Sequence, residues 1–204
     1  MQCFSYVVAR DYGFAPNPFH EYCTLAACKQ KIRESANVGD WIVGFAPRCE
    51  AERKVVYLMC VNEKISFNEY WQDERFALKK ANVNSTLIRF FGDNIYHREN
   101  QVWVQENSHH SYIDGATNEI NLRKDISGRF VLISSDFYYF GEVPIVIPAN
   151  IDIDSLIIRR GHKRQDDADE FMPLVSYIRE NYRKNFIYNV PLKFRKRHRY
   201  KGHA

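Results

Sequence analysis

Between residues 29 and 61 the chain sets out a short helix, a Val38-Gly39-Asp40 turn and two apolar strands. This order restricts the fold more than any other stretch. Residues 29–36 read as the helix. Gly39 can take the positive φ with which a helix closes, and Asp40 can tie the turn by accepting from backbone amides. Trp41-Ile42-Val43-Gly44-Phe45 is an apolar strand, and residues 54–61, KVVYLMCV, are the next, with residues 47–53 joining them as a hairpin. A strand at residues 3–9, CFSYVVA, comes before this unit. It runs into Arg10-Asp11-Tyr12-Gly13, and Pro16 and Pro18 keep the following loop irregular. Ser66-Phe67-Asn68-Glu69 matches a capping box, so a helix starts at Phe67. A short helix over 85–91, a strand over 130–134 and an aromatic run over 137–141, FYYFG, follow. Phe171, Leu174, Val175, Ile178 and Tyr182 recur at spacings of three and four, which predicts a helix within 166–183. Pro173 suits its first turn and moves the start to about Met172. The expected architecture is a single α+β domain over residues 1–185. It is built on a curved, mostly antiparallel sheet or partial β-barrel with flanking helices, and residues 186–204 form a basic tail.

The charge pattern supports that division. Residues 191–204 hold six Lys or Arg (Lys193, Arg195, Lys196, Arg197, Arg199, Lys201) and no acid. Taking those six from the net charge of +4 leaves residues 1–190 at −2. A basic end can hold nucleic acid phosphates or remain a solvated terminus. Five cysteines (Cys3, Cys23, Cys28, Cys49, Cys60) form no CxxC pair, and no signal peptide precedes them, so a reduced cytoplasmic protein is expected. No apolar run approaches the roughly 20 residues that span a bilayer, so no membrane partner is expected.

Residues 93–115, DNIYHRENQVWVQENSHHSYIDG, mix three histidines with aromatic rings and amides. Hydrogen-bonding edges beside flat rings suit a small planar polar ligand; a hydrated surface loop is the plainer alternative. The expected binding pocket joins Asp11, Tyr12 and Asn17 to Asn94, Tyr96, His97, Trp103, Gln105, His109 and His110, with Tyr138 and Tyr139 completing it. Trp103 or Tyr96 would be the stacking face, and base–aromatic stacking is worth roughly 1–3 kcal/mol. His97, His109 and Asp114 are the candidates for bonding a base edge or for acid–base catalysis. Arg159, Arg160 and His162, with the basic residues of the tail, are the candidates for phosphate. His109 and His110 would point to opposite faces of a strand, and no HxxxH, HExxH or Cys-His signature is present, so no metal site is expected. No GxSxG elbow accompanies Ser108 or Ser111. Cys23 and Cys28 lie near the proline-rich loop, where a cysteine nucleophile remains open, but buried unreactive thiols are the simpler expectation.

YVVARDYGFAPNPF (6–19), CTLAAC (23–28), VGDWIVG (38–44), GDNIYHR (92–98), SHHS (108–111), FYYFG (137–141) and RGHKR (160–164) together resemble the nucleotide modification associated domain of the second type. The similarity runs over about residues 1–185. Where the family helix opens with Lys-Pro, this chain has Lys29-Gln30. The resemblance implies association with DNA base modification systems, in phage-related or defence settings. Nucleotides or DNA, modified bases included, and proteins of such systems are then the expected partners. It transfers no catalytic role to individual residues and indicates no cofactor. The order of strand, short helix, Gly-Asp turn and paired strands also resembles the PUA-like group, including EVE and ASCH domains. That implies a small curved barrel, though a fold does not fix a function. Three readings follow: a domain that binds a nucleobase or nucleotide, a transferase or glycosidase-like enzyme on nucleotides or DNA bases, and a scaffold for a modification complex.

Overall fold

A computed structural model of the chain describes residues 1–47, 53–195 and 197–201. Most of the connection between the two apolar strands, together with Cys49 and Lys196, lies outside these residues. The main sheet has seven strands. Its order is β11 (His162–Gln165), β1 (Cys3–Val7), β3 (Trp41–Phe45), β4 (Lys54–Cys60), β9 (Phe137–Tyr139) and β12 (Phe186–Ile187), and β10 (Ile145–Val146) pairs with the start of β4. A second sheet joins β2 (Cys23–Leu25), β8 (Phe130–Ser134) and β5 (Glu63–Ser66), and β6 (Tyr96–Glu99) forms a ribbon with β7 (Val102–Gln105).

The expected antiparallel partial barrel is corrected here. β1 runs parallel to β3, and β12 runs parallel to β9, so the sheet is mixed, and its path ends on β11 and β12 without closing. The physical reason lies between β1 and β3. Parallel neighbours need a long crossover, and here β2 and the Gln30–Ser35 helix supply it. All five β3 residues are buried, as a strand covered on both faces requires. On one face Trp41, Val43 and Tyr138 pack with Leu174, Val175 and Ile178 of the Met172–Asn181 helix. On the other, Ile42, Tyr57 and Tyr139 pack with Leu25 and Ile32.

Several local features match their sequence signals. The capping box is formed: Ser66 Oγ accepts from Glu69 N at 3.3 Å and Glu69 Oε2 accepts from Ser66 N at 2.7 Å. Gly39 has φ 92°, and Asp40 ties its turn by accepting from Gln2 N and Asn37 N at 2.7 and 2.8 Å. Pro173 lies in the first turn of the Met172–Asn181 helix.

Gly44 marks the tightest packing in the sheet. The register shifts between Gly44 and Phe45, and a methyl at Gly44 would fall 2.5 Å from Tyr57 Cδ1 and 2.6 Å from Val8 Cγ2. Gly44→Ala should therefore cost about 1–3 kcal/mol through overpacking. Urea unfolding checks this, and an unchanged midpoint would show that Tyr57 yields freely.

Candidate active site

Three segments distant in sequence meet beside the end of β1. The first is the turn between β2 and the Gln30–Ser35 helix. Cys28 and Lys29 there have φ of 55° and 40°, the left-handed region that non-glycine residues rarely adopt. Such backbone persists only where the surroundings enforce it. Cys28 N donates to Asp125 Oδ1 at 2.8 Å, and Cys28 O accepts from Arg33 Nε at 2.8 Å. Arg33 is itself fully buried and also donates to the carbonyls of Phe130 and Asp125.

The second segment is the Glu119–Ile126 helix, whose buried residues are Leu122 and Asp125. A carboxylate thus sits on the apolar stripe, three residues after Leu122. The third is the turn after β7. His110 N donates to Ser108 Oγ at 3.3 Å, and His110 O accepts from Asn121 Nδ2 at 2.9 Å and Gln105 Nε2 at 3.3 Å. The His110 ring packs 4.4 Å from the Phe14 ring. Its Nδ1 lies 2.7 Å from Asp125 Oδ2 and its Nε2 lies 3.9 Å from Cys28 Sγ. Tyr96 OH donates to the same Asp125 oxygen at 2.8 Å. Sulfur, imidazole and carboxylate therefore stand in relay order: a nucleophile, a base within reach, and a third group orienting the base.

The electrostatics agree with that order. Burial opposes the charge on His110, but Asp125 and the Cys28 sulfur outweigh it and hold His110 up to about 10. Burial raises Asp125, yet His110 and Arg33 more than offset this and leave it below the usual carboxylate range. Burial and the neighbouring His110 push His109 down to about 3. Two adjacent histidines are thus driven in opposite directions. Cys28, His110 and Asp125 also form a set of potential metal ligands within 4.8 Å of one another. The expectation of no metal site rested on spacing motifs and did not anticipate this grouping. The Asp125–His110 contact spans the ring nitrogen away from the sulfur, which fits a proton relay better than three ligands around one ion.

Cys28 is half-buried and lies on the wall of a cavity of about 400 Å³. The end of β1, Arg10, the turn at Cys28–Lys29, Lys124 and His162 bound it.

The residues expected to form one pocket fall into several groups: Tyr96, Gln105 and His110 lie together, His109 packs between His110 and Tyr12, Asp11 bonds Tyr139, and the others stand apart. Gln105 Nε2 donates to Tyr96 OH at 3.2 Å, which places both behind the relay. His109 is buried among Tyr12, Phe14 and Phe91, with Nδ1 2.6 Å from the His198 carbonyl. Asp11 is buried and accepts from Tyr139 OH at 2.6 Å, and burial raises it above the usual carboxylate range. Asn17 Oδ1 accepts from the buried Lys79 at 2.9 Å, and Asn94 Nδ2 donates to Tyr70 O at 2.9 Å. These polar groups tie loops together. Tyr138 and Tyr139 lie on opposite faces of the sheet and do not line a common wall. His97 stacks on Trp71 at 4.1 Å and pairs with Glu106 at 2.9 Å. Trp103 borders a separate cavity of about 350 Å³, under the guanidinium of Arg98. Asp114 is exposed and caps a turn at Ala116 N, at 2.9 Å.

Of the phosphate candidates among the described residues, only His162 reaches the Cys28 cavity. Arg159 and Arg160 are exposed. The C-terminal residues fold back on the body. Lys193 N donates to Asp11 O at 2.7 Å, Arg195 lies 3.6 Å from Glu142, Arg197 donates to the carbonyls of Val83 and Ser85, and Arg199 reaches Ser111 Oγ at 3.0 Å.

Sequence reasoning named His110, left Cys28 open as a nucleophile while preferring an inert thiol, and missed Asp125. Two signals were present: an acid in step with Leu122 on a helix, and a cysteine after the small pair Ala26-Ala27.

Fold and site together define a mixed-sheet protein with a thiol–imidazole–carboxylate grouping at a cavity. The chain belongs to the nucleotide modification associated domain 2 family, whose profile matches residues 1–198. No curated protein and no solved structure gives a significant match. Among the described residues no helix is long and apolar enough to cross a membrane.

Proposed function

We propose that the protein is a thiol-dependent enzyme acting on nucleotides or nucleobases, modified bases included. Cys28 is the nucleophile, His110 the acid–base group and Asp125 the residue that orients it. The observation that carries this reading is the relay order of the three groups on a cavity wall. Family membership supports nucleotides or nucleobases as the substrate class. The enzyme reading stands ahead of simple base binding because the Cys28, His110 and Asp125 groups meet at one cavity wall, while the expected binding residues divide into several separate groups.

The step suited to this geometry begins with the thiol proton residing on His110 Nε2 while sulfur bonds to an electrophilic carbon. The leaving group departs with a proton returned from Nε2. A second nucleophile then gives its proton to Nε2 and displaces the sulfur as thiolate, giving hydrolysis if it is water and transfer if it is an amine or hydroxyl of an acceptor. Asp125 keeps the ring aligned and stabilises its charge throughout.

Alkylation with iodoacetamide at pH 6, read by peptide mass spectrometry, tests the assignment. Cys28 should be labelled at least about ten-fold faster than an ordinary free thiol, because the His110 ring nitrogen stands 3.9 Å from its half-exposed sulfur. Cys3, Cys23 and Cys60 should lag. Burial pushes the first two well above the usual thiol range and Cys60 up to about 11. Labelling of Cys28 at the free-thiol rate would overturn the proposal. So would labelling that appears only after EDTA treatment, which would indicate metal ligation instead.

A further inference from the structure

The cavity at Cys28 has a one-sided charge. Arg10, Lys29, Lys31 and Lys124 all line it, and no Asp or Glu does. These cations come from three separate parts of the fold: the end of β1, the turn and helix after β2, and the Glu119–Ile126 helix. Three basic residues outside the cavity are matched with acids. Arg123 lies 3.5 Å from Glu119, Arg129 lies 2.7 Å from Glu34, and Arg164 lies 3.0 Å from Asp166. Among the described residues, Arg10, Lys31 and Lys124 are exposed and have no carboxylate partner. Lys29 is more enclosed, with Nζ 4.0 Å from the centre of the Tyr6 ring. The local field is felt by His162, which burial, Lys31 and Lys29 push below its ordinary value.

Converging cations without counterions in a concave site suit a phosphate group. The volume, about 400 Å³, lies in the range of single small-ligand sites. A duplex or long single strand would instead need a basic track along the surface. The C-terminal arginines do not offer one, since Arg195, Arg197 and Arg199 are engaged with Glu142, the Val83 and Ser85 carbonyls, and Ser111.

We infer that the Cys28 cavity takes a free nucleotide, its phosphate held by Arg10, Lys31 and Lys124 and its reacting portion directed at the sulfur. This rests on reading the cavity as the active site, but its test does not use the thiol. The Cys28→Ser protein is titrated calorimetrically with the four deoxynucleoside 5′-monophosphates, the matching nucleosides and a dT8 oligonucleotide. At least one monophosphate should bind, with its nucleoside weaker by about ten-fold or more, the effect expected for losing a charged hydrogen bond. Lys31→Ala/Lys124→Ala in the same background should weaken that monophosphate by a similar factor and leave the nucleoside unchanged. Both lysines are exposed, so the fold should persist, and circular dichroism confirms it. Equal binding of nucleoside and monophosphate, no binding by any monophosphate, or binding of dT8 alone would each overturn the inference. Any of these can occur while Cys28 remains selectively alkylated, so failure here is separable from failure of the catalytic assignment.

Discussion

Replacing Asp125 with asparagine is expected to slow alkylation of Cys28 at pH 6 by about ten- to a hundred-fold, with a much smaller change at pH 9. An ordinary thiol near 8.5 is only about 0.3% thiolate at pH 6, so a partner that favours the anion has a wide range in which to act. His110 is that partner, and Asp125 is what keeps it charged, being held 2.7 Å from Nδ1 with both side chains almost fully buried. Without the carboxylate, only the Cys28 sulfur opposes burial, and the ring shifts towards the neutral form. The gap between wild type and Asp125→Asn should therefore narrow as pH rises towards the loss of the His110 proton near 10. Superimposable pH profiles for the two proteins would show that the imidazole does not govern the sulfur.

Asp125→Ala is expected to be the more damaging change to the fold, costing about 3–5 kcal/mol at pH 6, the usual penalty for removing one member of a buried ion pair. At this chain length that corresponds to a drop in Tm of roughly 6–20 °C. The carboxylate accepts from Cys28 N and Tyr96 OH at 2.8 Å each besides pairing with His110, so three groups lose a partner together. The pH dependence has a definite sign. His110 is raised when folded, so its contribution is complete below its unfolded value of about 6.5 and is lost as pH rises through about 10. Asp125 is lowered when folded, so its contribution is present above about 3.9 and is lost as pH falls through its depressed value. The penalty should then be greatest between roughly pH 4 and 6.5 and shrink towards pH 10. Urea unfolding at pH 5, 7 and 9.5 reads this directly, and a cost below about 1 kcal/mol at pH 5 would contradict it.

What was legible in the sequence is what local chemistry specifies. The Ser66 capping box, the Gly39-Asp40 turn and the Pro173 helix start depend on neighbours within a few positions, and each stands where its signature lies. The pairing of β1 with β3 depends instead on how the intervening segment crosses the sheet. No residue in Cys3–Val7 or Trp41–Phe45 declares a parallel neighbour, although the uninterrupted apolar run of Trp41–Phe45 suits burial on both faces. The site follows the same division. His110 was visible as an unusual residue in an unusual stretch. Its partners were not, because Cys28 is 82 positions away and Asp125 lies among the charged residues of a helix. Asp11, Asn17 and Asn94 misled for the opposite reason. Their polarity suggested a ligand, whereas their hydrogen bonds close the interior around Tyr139, Lys79 and Tyr70.

The returning C-terminal residues bear on where this protein can be cut. Tyr200 bridges to Tyr112, its carbonyl accepts from Ile113 N at 2.9 Å, and its ring stands 5.9 Å from that of His110. An expressed fragment ending at residue 185 would lose β12 from the sheet edge and strip the covering from the turn that presents the imidazole. An affinity handle is better placed at the amino end, where Met1 is exposed.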